Sequence, residues 1–192
     1  MRFFVYLNRF ISEAPKTKGG FLLDKETFIK KLLMYKDTVF RVAYSYVKNK
    51  SDAEDISQEV FLKLYTSAPD FNSEQAEKAW LIRITINKSK DLVKSGWFSR
   101  RSDNTEFTEH YEMSTAESDM LEKVLSLPDK YRSLIHLYYY EEYSVKEISE
   151  ITGVKASTVQ TRLQRGRKLL EKKLKEEMCY EKRNILPSYE KH

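Results

Sequence analysis

Residues Glu147–Leu174, EISEITGVKASTVQTRLQRGRKLLEKKL, constrain this chain more than any other stretch. Ser144-x-x-Glu147 just ahead of it reads as a capping box, in which side chains at both ends satisfy orphan amides of a helix's first turn. Gly153 supplies the backbone freedom that a tight turn requires. Ser157-x-x-Gln160 is a further capping signal and places the start of a second helix near Ser157. On a wheel of that helix Val159, Leu163, Gly166, Leu170 and Leu174 share the face expected to be buried, with Gly166 permitting close helix approach. Thr161, Gln164, Arg165, Lys168 and Lys172 point the opposite way. From Lys155 to Lys175 there are eight Lys or Arg and one acid, Glu171. A capped helix, a tight turn and a cationic second helix make up a helix-turn-helix suited to a DNA major groove. Thr, Gln and Arg near the helix start can bond base edges, whereas the later lysines neutralise phosphate. A solvated, Lys-rich final helix is the plainer reading. The capped supporting helix, the turn glycine and the polar residues ahead of the lysines weigh against it.

The rest of the chain reads as helical too. Its 192 residues suffice for one ordinary domain or two small ones, and they include only five Gly and four Pro. No strand-like alternation stands out. The net charge of +5 permits nucleic-acid binding without requiring it. A single cysteine, Cys179, excludes an internal disulfide and suits a reducing cytoplasm. The N-terminal FFVYL run is broken at once by Asn8 and Arg9, too short for a membrane span and poor as a signal peptide.

Five segments are expected. Residues 1–23 form an arm ending in APKTKGG, and residues 24–95 a first helical domain. In that domain Val39, Phe40, Ala43, Tyr46 and Val47 make one stripe, and Ile56, Val60, Phe61 and Leu64 another. Ser51-x-x-Glu54 is expected to cap the second of these helices, and Pro69 to close it. Residues 96–116 lose periodicity and read as a linker, with Trp97 and Phe98 as its apolar exceptions. A second helical domain is expected over 117–178, with Pro128 in a first turn, and a polar tail over 179–192.

Two further surfaces invite function. The helix expected from about Ala76 to Lys94 carries Arg83, Asn87, Lys90 and Lys94 along one edge, while Trp80, Leu81, Ile82, Ile84, Ile86, Leu92 and Val93 fill the rest of the wheel. An asparagine among cations suits single-strand or phosphate contact better than simple solvation. The cluster Asp52-Ala53-Glu54-Asp55, with Gln58 and Glu59, admits three readings. It could hold a metal or do acid-base work, yet no histidine or glycine-rich phosphate loop stands near enough to complete such a site. It could simply complement a helix dipole, or dock a basic protein surface. His110, His136 and His192 have no metal-ligand spacing.

Three segments together resemble the extracytoplasmic-function (ECF) group of the bacterial sigma-70 family. They are YKDTVFRVAYSYVKNKSDAEDISQEVFLKLY, EKAWLIRITINKSKDLVKS, and the run from LPDKYRSLIHLYYYEEYSVKEIS to the end of the helix-turn-helix. The resemblance implies an all-α fold of two small helical domains, a sigma-2 bundle and a sigma-4 helix-turn-helix, joined by a flexible linker. It also implies a promoter-specificity factor with no catalytic residues, no cofactor and no metal. Asp52, Asp55, Gln58, Glu59 and Phe61 would contact the clamp helices of the largest subunit of core RNA polymerase. Arg83, Asn87, Lys88, Lys90 and Lys94 would engage the −10 element, with Phe71–Glu77 as the loop that captures a flipped base. Ser157, Gln160, Thr161, Arg162, Gln164, Arg165, Arg167 and Lys168 would contact the −35 element, Arg162 and Arg167 through phosphate. The sigma-4 domain would also meet the flap of the second-largest subunit.

An anti-sigma protein, often membrane-bound, would sequester the factor in the bacterial cytoplasm; the chain itself would not insert into a membrane. Melting of the −10 duplex would need no covalent chemistry, because unstacked bases are held in protein pockets. The chain departs from the family pattern at Gln164, where several relatives carry an apolar or aromatic residue, and at Ser149 in the supporting helix. It also departs at Glu141-Glu142, which lacks the glycine common before Tyr143. The rival reading is a stand-alone helix-turn-helix regulator, dimeric on two-fold-related sites. A metal-dependent nucleic-acid enzyme built on Asp52, Glu54 and Asp55 is a third.

Overall fold

The structure, a computed structural model, describes residues 23–67, 70–95 and 115–185. All of the regular structure among them is α-helix: α1 (Lys25–Val47), α2 (Lys50–Ser67), α3 (Glu74–Lys94), α4 (Thr115–Leu125), α5 (Asp129–Tyr139), α6 (Val145–Thr152) and α7 (Ala156–Ile185). The chain divides into two compact units, one of residues 1–109 with 150–153 and the other of residues 110–149 with 154–192. The arm before Leu23, Pro69, the 96–114 stretch with Trp97 and Phe98, and the tail from residue 186 lie outside the described residues. No helix among the described residues is long and apolar enough to cross a membrane.

In the first unit α1 packs on both α2 and α3, and α2 packs on α3. Its core holds Phe28, Val39, Ala43 and Val47 from α1, Ile56, Val60, Phe61 and Leu64 from α2, and Leu81, Ile82 and Ile86 from α3. Phe40 and Tyr46, expected on the buried stripe, are only half-buried. Buried hydroxyls among these side chains close on their own helices. Ser57 donates to the Ala53 carbonyl, Thr85 to that of Leu81 and Ser89 to that of Thr85, at 2.7–2.8 Å. Asp24 caps α1, its carboxylate accepting from the Thr27 amide at 2.9 Å.

The expected cap at Ser51 is corrected. Asn49 caps α2, its side-chain oxygen accepting from the Asp52 amide at 2.9 Å. The reason is the tightness of the corner. Lys48 turns left-handed (φ 53°) to end α1, so Asn49 is already the last residue before α2 begins. At α3 the helix starts two residues ahead of the expected Ala76, with Ser73 as its cap.

In the second unit α4 and α7 both pack on α5, and α4 also touches α7. Leu121, Val124, Leu127, Leu134, Ile135, Leu137, Val159 and Leu163 are buried. A buried cation joins α4 to α5. Arg132, 1% exposed, donates to the Leu125 and Leu127 carbonyls at 3.0 and 3.1 Å and pairs with Asp129. It thereby satisfies carbonyls that the end of α4 leaves open. Pro128 sits one position ahead of α5, at its cap. The last helix continues to Ile185, past the expected boundary at 178. No Gly or Pro interrupts the sequence between Gly166 and Pro187, and Glu171–Lys175 and Lys172–Glu176 pair one turn apart.

Candidate functional site

The helix-turn-helix forms around its caps. Ser144 and Glu147 complete the expected box: the Ser144 amide donates to the Glu147 carboxylate at 2.9 Å, and the Glu147 amide to the Ser144 hydroxyl at 3.3 Å. The Ser144 hydroxyl also donates to that carboxylate, and these bonds hold it below its ordinary pKa. Gly153 has φ 71°, and a methyl group there would meet nothing within 4 Å. Glycine is needed for its conformation and not for space.

The expected cap at Ser157 is corrected. The first turn of α7 closes on the Lys155 carbonyl, which accepts from the Thr158 and Val159 amides at 2.9 and 3.0 Å. Ser157 is one residue inside the helix, and its carbonyl accepts from the Thr161 hydroxyl at 2.9 Å.

Val159 and Leu163 seat α7 in the core, and Gly166 does what the wheel implied. A Cβ there would stand 3.1 Å from an Ile135 side-chain carbon and 3.4 Å from Tyr131 Cβ, so α5 and α7 approach at this point. Leu170 and Leu174, expected on the buried face, are half-buried. On the outer side Ser157, Gln160, Thr161, Gln164, Arg165, Arg167 and Lys168 are exposed, and Arg162 is half-buried. Gln160, Thr161, Gln164 and Arg165 therefore form one polar patch in the first three turns of α7. Further along, Lys172 and Lys175 are paired with Glu176 and Glu171.

On the first unit, α2 presents a stripe of different character. Asp55 and Glu59 are exposed and Gln58 is half-buried, at helical spacing. Leu62 continues the stripe at 37% exposure. It was missed in the sequence because an apolar residue beside Phe61 reads as core. Two expected members do not reach this surface. Asp52 is 8% exposed, in the first turn behind the Asn49 cap. Phe61 is 0% exposed, turned into the core, so it supports the stripe without touching a partner.

Along α3, Arg83, Asn87 and Lys94 are exposed, and Lys88 and Lys90 are half-buried. Asp91 is exposed between Asn87 and Lys94, an acid within the basic edge. Lys88 is ion-paired with Glu59 of α2, so the basic edge and the acidic stripe meet at that point. Ahead of α3, Phe71 packs edge-to-face on Trp80 at 5.5 Å, and Asn72 and Ser73 are exposed. Among the described residues, no group of three or more His, Cys, Asp or Glu could hold a metal ion. His136 is buried with its Nε2 3.7 Å from a Glu141 carboxylate oxygen.

The family description "Sigma-70 region 2" matches residues 32–98, and "Sigma-70, region 4" matches residues 118–170. The ECF RNA polymerase sigma factor SigW of Bacillus subtilis (strain 168) is 32% identical over 171 residues, covering 80% of this chain and 91% of that protein. The RNA polymerase sigma factor SigV of the same organism is 33% identical over 150 residues, covering 74% and 88%. Among solved structures, the sigma factor RpoE in complex with the anti-sigma factor NepR from Bartonella quintana aligns at a TM-score of 0.60 and 22% identity. It covers 78% of this chain and 98% of that one, a likeness of fold.

Proposed function

Because the chain belongs to the ECF group of the sigma-70 family, we propose that its two units divide the work of starting transcription between named surfaces. The chain is a sigma factor that directs promoter-specific initiation by RNA polymerase. In our reading the α2 stripe of Asp55, Gln58, Glu59 and Leu62 docks on the clamp helices of the polymerase's largest subunit. The exposed acids offer charge complementarity and on-rate, and Leu62 an apolar contact within the stripe.

The α3 edge of Arg83, Asn87, Lys88, Lys90 and Lys94 tracks the −10 strand, and the turn at Phe71–Ser73 receives an unpaired base. Gln160, Thr161, Gln164 and Arg165 read the −35 duplex in its major groove, with Ser157, Arg162, Arg167 and Lys168 on the backbone. The second unit also meets the polymerase flap. The partner that restrains the factor in the cytoplasm is an anti-sigma protein, as in the NepR complex of the structural relative.

The observation that carries this reading is the exposed stripe on α2, a helix that is no part of the helix-turn-helix. A stand-alone regulator has no use for it. The test is transcription by purified core polymerase on fragmented genomic DNA, with and without the protein, with product 5′ ends mapped. Discrete new start sites sharing two spaced motifs are expected, and Asp55→Ala with Leu62→Ala should abolish them while −35 duplex binding persists. Folded protein that yields no new initiation would sink the reading.

A further inference from the structure

We propose that the Lys31–Glu77 ion pair positions the turn Phe71–Ser73 and so sets which unpaired base that turn accepts. The proposal rests on the reading of this turn as the place where a −10 base is received.

Glu77 lies in the first turn of α3, four residues after the Ser73 cap, and is only 5% exposed. Its carboxylate is paired with Lys31 of α1, 46 residues away in the chain. A buried carboxylate is costly unless paired, and apolar residues of similar volume often replace a buried pair with no loss of stability. Dipole complementarity does not explain it either, because Glu74 in the same turn is an exposed acid. What distinguishes the pair is its location.

Lys31 Nζ stands 5.9 Å from the centroid of the Phe71 ring. Phe71 rests edge-to-face on Trp80, which is three residues beyond Glu77 on α3. One turn along α1 from Lys31, the Tyr35 hydroxyl donates to the Glu74 carbonyl at 3.5 Å. Burial, together with the negative charges of Glu77 and Glu74, pushes the Tyr35 hydroxyl up to about 12, so it stays a donor. Two α1 side chains thus grip the first turn of α3, and one of them also lies over Phe71. Phe71 is fixed on its inner side, which leaves Asn72 presented to solvent. Glu77 is too buried and of the wrong charge to meet DNA itself, so it acts through the turn. Recognition groups need placement within about 0.5 Å, which a loose turn cannot give.

The experiment is transcription by reconstituted holoenzyme on a promoter pool randomised across the −10 element. Parent, Lys31→Met, Glu77→Gln, Glu77→Asp and Asn72→Ala are compared, and each is checked by thermal melting and by core-polymerase binding. Lys31→Met and Glu77→Gln should change the preference between the two best bases at one −10 position by about fivefold or more, the scale of one misplaced hydrogen bond. Glu77→Asp should recover part of that preference, and preference across the −35 element should not move. An equal loss on every promoter with the base preference intact would show a merely structural pair and overturn the proposal. If Glu77→Gln does not fold, Lys31→Met decides the matter, since its charge is partly exposed. If Asn72→Ala shifts the preference and both pair variants do not, the positioning claim alone fails. If none shifts it, the reading of the turn fails as well.

Discussion

Glu142 and Gly153 bracket α6, the supporting helix of the DNA reader, and both sit in the left-handed region at φ 60° and 71°. One has the side chain that this conformation penalises and the other lacks it, so substitutions should act in opposite directions. For an L-residue the left-handed helical conformation costs about 1–2 kcal/mol. Glycine avoids that cost but gives back about 0.5–1 kcal/mol through greater freedom of the unfolded chain. Glu142→Gly should therefore stabilise the second unit by about 0.5–1 kcal/mol. The Glu142 side chain is exposed, so its removal takes away little packing. Gly153→Ala should destabilise the unit by about 1 kcal/mol. Crowding adds nothing to that loss, since a methyl group there meets no atom within 4 Å.

For a unit of this size each kcal/mol moves the melting temperature by roughly 4–8 °C. Thermal unfolding of the full chain, followed by far-ultraviolet circular dichroism and by tryptophan fluorescence, separates the units. Both tryptophans precede α4, so fluorescence should not follow the Glu142→Gly shift. A Glu142→Gly variant that melts at or below the parent temperature would refute the conformational argument. So would a Gly153→Ala variant that melts unchanged.

Ser144→Ala should cost about 1 kcal/mol at neutral pH. The lowered pKa of Glu147 means that the carboxylate's share is present above its ordinary value of 4.5 and is lost as pH falls through the folded value, so the variant and parent should converge in acid denaturation. Arg132→Met should cost about 3 kcal/mol by urea unfolding, because it strands the half-buried Leu125 and buried Leu127 carbonyls, and Arg132→Lys should not fully rescue it, lacking the guanidinium fork. Gln164→Ala should cost about 1–3 kcal/mol on the preferred −35 duplex and relax base preference there, whereas Lys168→Ala should weaken all duplexes alike and reduce the salt slope by about one. Binding titrations across salt concentration and a set of single-base variants would distinguish the two, and equal behaviour would contradict the assignment of roles along α7.

Short-range physics made much of this protein readable from its sequence. The Ser144–Glu147 box, the turn at Gly153 and the apolar seam through Val159, Leu163 and Gly166 depend on residues three to seven positions apart, so their spacing already carries the geometry. The exposed order of Gln160, Thr161, Gln164 and Arg165 follows from the same period. The errors arose where neighbours in space overrule neighbours in sequence. Asn49 took the cap expected of Ser51 because the left-handed Lys48 fixed the corner. Glu142 adopts a glycine's conformation because the chain from α5 to α6 must turn there.

Phe61 and Leu62 are adjacent and both apolar, and only the packing of α2 against α1 and α3 sends one inward and leaves the other on the surface. Lys31 finds Glu77, and Lys88 finds Glu59, across 46 and 29 residues of chain. Sequence by itself determined the helices, the Ser144–Glu147 cap and the character of each face, because those are set within one or two turns. Tertiary structure decided which side chains on a face stay in water and which distant charges meet, because burial and ion pairing depend on where other helices lie.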